Sequence, residues 1–222
     1  MPEGAEVWIL SEAINKFCQG KTQMYTISFG KHLLIYNTES NPDILLDWSF
    51  GLNGKVCINK DCVLTKVDSG WIHGDEVKCT KTDNVTFSLG ADWITSPLAV
   101  LENLVTMKMK TSKKKLGALL LEQDIISGIG VAWGSEILYR AQLRPDMKAS
   151  EQDLTHLALT MSQIRDEIKL TYLRYLASCE NDLQQFINGW FNNLYAIRDM
   201  KIYKKGTQVV VNSRKWWVNK LT

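Results

Sequence analysis

The first residues of the chain carry two groups that could do covalent chemistry. Initiator methionine is normally removed when the next residue is small, which would leave Pro2 as the amino terminus. A terminal proline is a secondary amine, and because α-amino groups titrate near about pH 8, a useful fraction is unprotonated at neutral pH. Such an amine can attack an electrophilic carbon and form an iminium, with the neighbouring Glu3 as general acid or base. An ordinary chain start without a catalytic role is the alternative.

A glycine-containing turn is the second candidate. The helical pattern is interrupted over residues 124–133, where Ser127-Gly128-Ile129-Gly130 is too rich in glycine to be helical. Its glycines would expose backbone N–H groups at the start of the next helix, which is a suitable seat for a phosphate group. Glycine turns between helices also occur as pure structure, so this pattern leaves both interpretations open.

The spacing of apolar residues predicts the elements that position these groups. A helical pattern begins almost at the N-terminus and carries the first residues on its leading edge. Short β-rich runs follow at 24–29, 32–36, 44–50, 55–59, 77–80 and 85–89. Helical spacing then predicts helices at 97–106, 116–123, 135–141, 151–177 and 182–198. In the tail, runs at 208–211 and 215–218 flank Asn212-Ser213 and predict a hairpin.

These elements predict an α+β fold in two domains. Residues 1–100 are expected to form an antiparallel β-sandwich with an N-terminal helix. Residues 101–222 are expected to form a helical domain that ends in a β-hairpin at about 200–222.

The net charge of +2 conceals an uneven distribution. Residues 1–110 carry 10 Lys/Arg and 13 Asp/Glu, whereas residues 111–222 carry 16 and 11. Lysines cluster in mid-chain and in the tail, where they form either a solvated face or a surface for a polyanion.

Other features exclude several classes of protein. The apolar stretches are far shorter than the roughly 20 residues that a membrane span needs, and the acidic N-terminus differs from a secretory signal. We therefore expect an intracellular protein with no membrane partner. The five cysteines form no CxxC pair, so we expect reduced thiols and no metal site.

The chain resembles the formamidopyrimidine-DNA glycosylase/endonuclease VIII family in four segments that follow the family's order: PEGAEV, FGKHLLIY, SFGLNGKV and LLLEQDIISGIGVAWGSEILYRAQLRP. The last segment, residues 119–145, is similar to the family's helix–two-turn–helix DNA-binding motif. Gly4 resembles the endonuclease VIII-like branch. The usual finger has four zinc-binding cysteines, but residues 203–222 contain none, which resembles the zincless-finger members.

The resemblance implies a bifunctional DNA glycosylase and abasic-site lyase that removes oxidised bases, with pyrimidines as the expected class, and needs no cofactor. Pro2 would attack C1′ of a flipped-out nucleotide, and Glu3 would protonate the sugar ring oxygen. β- and δ-elimination would then cut the strand. Glu6 matches a second family carboxylate that supports the active site. Lys31, in the FGKHLLI strand, matches a lysine that binds the phosphate beside the lesion. Without the resemblance, Glu6 is interpreted equally well as an acidic residue in the first turn of the helix, where its negative charge interacts favourably with the helix dipole. Lys31 is then interpreted as an exposed lysine in a strand.

The resemblance also implies a set of DNA contacts. Gly130 in the glycine turn and Tyr203 would contact phosphate, and Arg214 would lie at the tip of the C-terminal hairpin. Leu52 matches a wedge residue, with Asn53 beside it. Considered alone, Arg214 is a hairpin-turn residue and Leu52 is equally a core residue.

Several positions depart from the family pattern. Val131 replaces a phosphate-binding asparagine, and Gly117 stands where many members have lysine. Residues 92–97 lack the arginine and phenylalanine wedges that fill the space left by a flipped base. The resemblance implies that the partner is damaged double-stranded DNA, that the protein is located wherever the genome resides and that it is a monomer. Because the wedge residues are missing, we expect single-stranded or bubble DNA to be accepted as well. The alternatives are a non-catalytic binder of damaged or abasic DNA with the same fold, and a structural nucleoprotein.

Overall fold

The computed structural model describes residues 3–19, 24–37, 44–49, 55–58, 64–67, 89–179, 182, 185–186 and 200–219 of the 222. Several predictions lie wholly or mostly outside these residues: the strands at 77–80 and 85–89, the helix at 182–198, and the site residues Pro2, Leu52 and Asn53.

The chain divides into two compact units. One consists of Met1–Phe87 with Lys169–Ile197, and the other of Ser88–Ile168 with Arg198–Thr222. The predicted domain limits of 1–100 and 101–222 stay a prediction. The last part of the long helix Leu157–Ser178, from Lys169 onward, belongs to the same unit as the N-terminal residues.

The first unit begins with helix α1, Gly4–Cys18, which follows an extended Glu3. Its apolar face is buried, as the spacing predicted. Strands β1 (Met24–Phe29), β2 (His32–Asn37) and β3 (Ile44–Ser49) form an antiparallel sheet in that order. Gly30, with φ of 61°, allows the tight turn between the first two strands.

A second antiparallel pair joins β4 (Lys55–Ile58) and β5 (Leu64–Val67). Strand β5 was not predicted, because its sequence, Leu-Thr-Lys-Val, has apolar residues only at its two ends and does not alternate with period 2. The described strands establish a mixed α+β fold, while the β-sandwich arrangement stays a prediction.

The second unit is mainly helical. Near the start of this unit, strand β6 (Ala91–Asp92) pairs in parallel with strand β7 (Ile126–Ser127), which leads into the glycine turn. The helices are α2 (Leu98–Leu104) with a π-helical continuation (Val105–Met109), α3 (Leu116–Leu120), α4 (Val131–Arg140), a 3₁₀ turn (Ala149–Glu151) and α5 (Leu157–Ser178). Among the described residues, no helix has the length and apolar character needed to cross a bilayer.

The C-terminal hairpin is present, with β8 at Thr207–Val211 and β9 at Arg214–Val218. Its two turn residues, Asn212 and Ser213, both have positive φ, at 46° and 62°. This is the backbone geometry that matches the right-handed twist of the flanking strands.

Candidate active site and nucleic-acid interface

Two buried carboxylates stand at the start of α1. Glu3 is 5% exposed and Glu6 is completely buried. The backbone N–H of Glu3 donates a hydrogen bond of 2.7 Å to Oε2 of Glu6, and the Glu3 carbonyl accepts from the first turn of the helix. Both side chains therefore lie at the positive end of the helix dipole, which favours negative charge. The arrangement holds the backbone directly after Pro2 in one conformation.

The hydroxyl of Tyr172 completes this cluster. Tyr172 lies in α5, is 2% exposed, and donates a hydrogen bond of 3.1 Å to Oε1 of Glu6. Burial raises the pKa of the Tyr172 hydroxyl well above its usual value. Since the phenol stays protonated far above neutral pH, it is a permanent donor to Glu6.

Helix α1 is fastened to β1 by polar contacts as well as by its apolar face. The side-chain amide of Asn15 donates to the carbonyl of Thr26 and accepts from its N–H, each at 2.7 Å. The hydroxyls of Ser11 and Thr26 lie 3.0 Å apart. Asn15 thus satisfies both backbone groups of a strand residue, as a neighbouring strand would.

Lys31 is not within a strand, as the sequence suggested. It is the second residue of the turn between β1 and β2, directly after Gly30, and is half-buried. The β-rich runs at 24–29 and 32–36 already left residues 30 and 31 between the strands, and the positive φ of Gly30 forms the turn there. The turn places Lys31 in the same unit as Glu3 and Glu6.

The glycine turn has the predicted position at the start of a helix. Gly130 is the residue before the first turn of α4, whose leading N–H groups have no acceptor within the helix itself. The side chain of Gln123 braces the turn, accepting from the N–H of Gly128 at 2.9 Å and donating to the carbonyl of Ile129 at 3.1 Å. The amide of Gly128 is thus engaged within the turn, and the phosphate contact of Gly130, the residue before α4, stays a prediction.

Three consecutive residues of α4 hold the C-terminal hairpin. Gly134 leaves space for the ring of Trp216, since an added Cβ would lie 2.8 Å from Cζ3 of that ring. The hydroxyl of Ser135 accepts from the N–H of Trp217 at 3.2 Å. Oε2 of the fully buried Glu136 accepts from the N–H groups of Lys201 and Ile202 at 3.0 and 3.1 Å.

Gly117 in α3 also leaves space for the ring of Trp216. A Cβ at Gly117 would lie 2.9 Å from Cε2 of Trp216 and 2.8 Å from Cβ of Pro145. The departure from the family lysine at Gly117 thus has a steric reason, since the fully buried indole of Trp216 occupies the space next to it.

The two DNA-contact candidates of the tail belong to this hairpin region. Tyr203 is half-buried and packs edge-on against Trp217, with ring centroids 5.9 Å apart. Arg214 is exposed and directly follows the two-residue turn, so it flanks the tip of the hairpin. Lys215 beside it is also exposed. The hairpin therefore presents cationic side chains near its tip.

Residues 92–97 form a turn that cannot supply an apolar wedge. The carboxylate of Asp92 accepts from the N–H groups of Ile94 and Thr95, at 2.7 and 3.3 Å. Trp93 and Ile94 are both fully buried. The large apolar side chains of this segment are thus part of the core.

The structure brings together some of the predicted site residues. Glu3 and Glu6 are in direct contact in the first unit, whereas Gly130, Tyr203 and Arg214 lie in the second.

Sequence analysis missed Tyr172 and the α4 residues that hold the hairpin. No local pattern could identify Tyr172, and Gly134 was not marked as a site of close packing because the predicted helix began one residue after it, at 135, whereas α4 begins at Val131. Within the described ranges, no cluster of His, Cys, Asp or Glu could hold a metal ion.

Comparisons with known proteins agree with this geometry. The formamidopyrimidine-DNA glycosylase H2TH domain family matches residues 90–172. A formamidopyrimidine-DNA glycosylase from Corynebacterium efficiens is 38% identical over 58 residues, which are 26% of this chain and 20% of the relative. The match therefore spans about a fifth of that relative's length.

Solved structures show the same fold. The Lactococcus lactis Fpg in complex with DNA containing an abasic site has a TM-score of 0.67 and 15% identity, over 98% of this chain and 97% of that one. The MutM (Fpg) protein from Thermus thermophilus has a TM-score of 0.65 and 16% identity, with the same coverage. The H2TH match covers residues 90–172, and the fold is similar to that of these Fpg and MutM structures; membership of the family as a whole, its endonuclease VIII-like branch and the zincless-finger type stay predictions.

Proposed function

We propose that this protein is a bifunctional DNA glycosylase and abasic-site lyase of base excision repair. Its substrates would be oxidised bases, with pyrimidines as the expected class. The observation that carries the proposal is the hydrogen bond from the backbone N–H of Glu3, the residue after Pro2 in the sequence, to the carboxylate of Glu6, with both glutamate side chains buried. The H2TH domain at residues 90–172 supports DNA as the substrate.

In the proposed reaction, the Pro2 nitrogen attacks C1′ of a nucleotide flipped out of the DNA helix. The bond between C1′ and the damaged base breaks as the bond from nitrogen to C1′ forms, and the departing base takes up the proton that the Pro2 nitrogen loses. Glu3 gives its proton to the ring oxygen, which opens the sugar and leaves an iminium. β- and δ-elimination then break the strand on both sides, and hydrolysis of the iminium restores the free amine.

The roles of the two carboxylates follow from their contacts. Glu6 accepts from the Glu3 backbone and from Tyr172, so both of its oxygens are committed to fixed donors. Because hydrogen bonds to the charged form favour it, we assign Glu6 as the ionised, structural carboxylate. Glu3 is then the proton donor, and Lys31 is assigned to the phosphate beside the lesion.

The proposed DNA contacts in the second unit have support from local geometry. Gly130 lies at the N-terminus of α4, where the helix dipole favours a phosphate group. Tyr203 and Arg214 lie on the hairpin region that Ser135 and Glu136 hold in place. Packing of Trp216 supports a finger that needs no zinc.

We also propose that single-stranded or bubble DNA is accepted. Trp93 and Ile94 are buried, so this segment has no large apolar side chain available to fill the space left by a flipped base. An enzyme whose wedge residue is weak gains little from the opposite strand, so it loses little excision activity when that strand is absent. Excision of one lesion in duplex and in single-stranded DNA measures this, and a large duplex preference would contradict it.

Borohydride trapping on abasic-site DNA tests the enzymatic proposal, because it reduces an iminium to a permanent cross-link. We expect the intact protein to cross-link through Pro2, Glu3→Gln to reduce the yield strongly, and Pro2→Gly to reduce it further. Glu12→Gln is the matched control, since Glu12 is an exposed glutamate of the same helix. A mass spectrum locates the cross-linked residue and shows whether Met1 is removed.

Two results would refute the proposal. One is the absence of a cross-link from intact protein that binds the DNA, which would leave a non-catalytic binder of abasic DNA. The other is an equal yield from the intact protein, Glu3→Gln and Pro2→Gly.

A further inference from the structure

We infer that Tyr172 is a positioning residue for the N-terminal nucleophile, acting through Glu6. The inference deepens the proposed function and rests on it. Its role is to determine how Glu6 holds the backbone of Glu3, the residue that follows Pro2 in the sequence.

A continuous chain of hydrogen bonds carries the inference. The Tyr172 hydroxyl donates to Oε1 of Glu6 at 3.1 Å, and Oε2 of the same carboxylate accepts from the Glu3 N–H at 2.7 Å. All three residues are at least 95% buried. Because water has little access here, a donor lost from Glu6 is poorly replaced.

A second contact fixes the same two helices. The ammonium group of Lys169 in α5 lies 5.3 Å from the ring centroid of Trp8 in α1. Trp8 and Glu6 are two residues apart on α1, and Lys169 and Tyr172 are three residues apart on α5. With two points of contact, the Tyr172 hydroxyl is held in position and does not depend on the Glu6 bond alone.

The chemistry of the phenol suits this role. Burial raises the pKa of Tyr172, so the hydroxyl remains a donor over the whole range in which an amine nucleophile works. A lysine or histidine in its place would change its charge with pH or carry a charge into a dry site. Tyrosine provides one neutral donor at a fixed distance from α5.

Loss of the hydroxyl should disturb the nucleophile. Without its donor, Glu6 is free to rotate towards other partners, and the Glu3 N–H loses a well-oriented acceptor. The Pro2 nitrogen precedes Glu3 by one residue, so small changes in the Glu3 backbone move it relative to C1′. Misplacement of a reacting atom by about 1 Å can cost about a hundredfold in rate.

Tyr172→Phe tests the inference, because it removes the oxygen and keeps the ring. We expect the rate of borohydride trapping at saturating abasic-site DNA to fall about tenfold, which corresponds to one hydrogen bond to a charged group. Affinity for DNA with a tetrahydrofuran abasic analogue should not change. Tyr175→Phe is the matched control: Tyr175 lies one turn further along α5, and its hydroxyl is 3.5 Å from the Phe186 carbonyl.

The outcomes separate this inference from the proposed function. If the intact protein traps DNA and Tyr172→Phe traps it at the same rate, the positioning role is wrong and the function stands. A fall in DNA affinity together with a large loss of thermal stability would show a structural role and also overturn the inference. If the intact protein traps nothing, exchange of the Glu3 amide hydrogen decides: faster exchange in Tyr172→Phe supports positioning, and equal exchange overturns it.

Discussion

The ring of Trp216 lies against Gly134 so closely that no other residue fits at position 134 without movement. A Cβ there would be 2.8 Å from Cζ3 and 2.9 Å from Cη2 of the indole. Gly134 stands inside α4, where glycine is about 1 kcal/mol less favourable than alanine. The helix thus carries an unfavourable residue because the hairpin needs the space.

Gly134→Ala should therefore destabilise the protein despite the better helix propensity of alanine. We expect the free energy of unfolding to fall by about 1–3 kcal/mol, the usual cost of overpacking a core. Urea denaturation measures it. In a Trp216→Leu background the same change should cost less, because the smaller side chain leaves room for the methyl group. Equal costs in both backgrounds would show that the ring does not set the requirement for glycine.

The carboxylate of Glu136 offers a second test of how the hairpin is held. It accepts from the N–H groups of Lys201 and Ile202 and from Nε of Arg140. Glu136→Gln removes the charge and turns an N–H donor towards one of these partners, so we expect a loss of about 3 kcal/mol in unfolding free energy. Exchange of the Lys201 and Ile202 amide hydrogens should become faster.

Glu167→Gln is the matched control for Glu136. Glu167 also pairs with Arg140, at 2.6 Å, but its side chain is 60% exposed. Because exposed ion pairs contribute little, its loss should cost less than about 1 kcal/mol. Similar effects at both positions would mean that the ion pair with Arg140, and not the bonds to the hairpin backbone, accounts for the stability.

Much of the fold could be predicted because it follows from apolar spacing. The predicted run at 24–29 coincides with β1, and α1 and the C-terminal hairpin were anticipated from periodicity and turn residues. Helix ends were predicted less well, since single polar contacts decide them. Helix α5 begins at Leu157 and not at 151, after a turn in which Asp153 accepts from the N–H of Thr155 at 3.0 Å.

The site could be predicted only where its residues are close in sequence. Glu3 and Glu6 are one helical turn apart, so their contact follows from helix geometry. Tyr172 is 166 positions from Glu6, and nothing local marks it as a partner. The same holds for Gly134 and Trp216, which are adjacent only because the hairpin packs on α4.

The raised pKa of Tyr172 predicts a loss of stability at high pH. The unfolded state releases this proton above the usual tyrosine pKa of 10.0, while the folded state keeps it. The contribution is therefore fully present below pH 10.0 and is lost as the pH rises towards the folded-state pKa, by about 1.4 kcal/mol per pH unit. Tyr172→Phe should lack this slope in urea unfolding above pH 10.0. Parallel curves for the two proteins would show that the hydroxyl ionises normally.

The lysines before α3 allow a test of DNA contact by charge. Lys113 and Lys115 are exposed and form no ion pair among the described residues, whereas Lys148, also exposed, pairs with Glu151 at 2.8 Å. If the first two contact phosphates, replacing both by alanine should reduce the slope of log K against log salt by about 1.8 for duplex DNA, since each contact contributes about 0.9. Lys148→Ala removes one positive charge but should leave the slope unchanged, because that lysine is already neutralised. Binding titrations over a salt series measure both, and an unchanged slope in the double variant would assign these lysines to a solvated face.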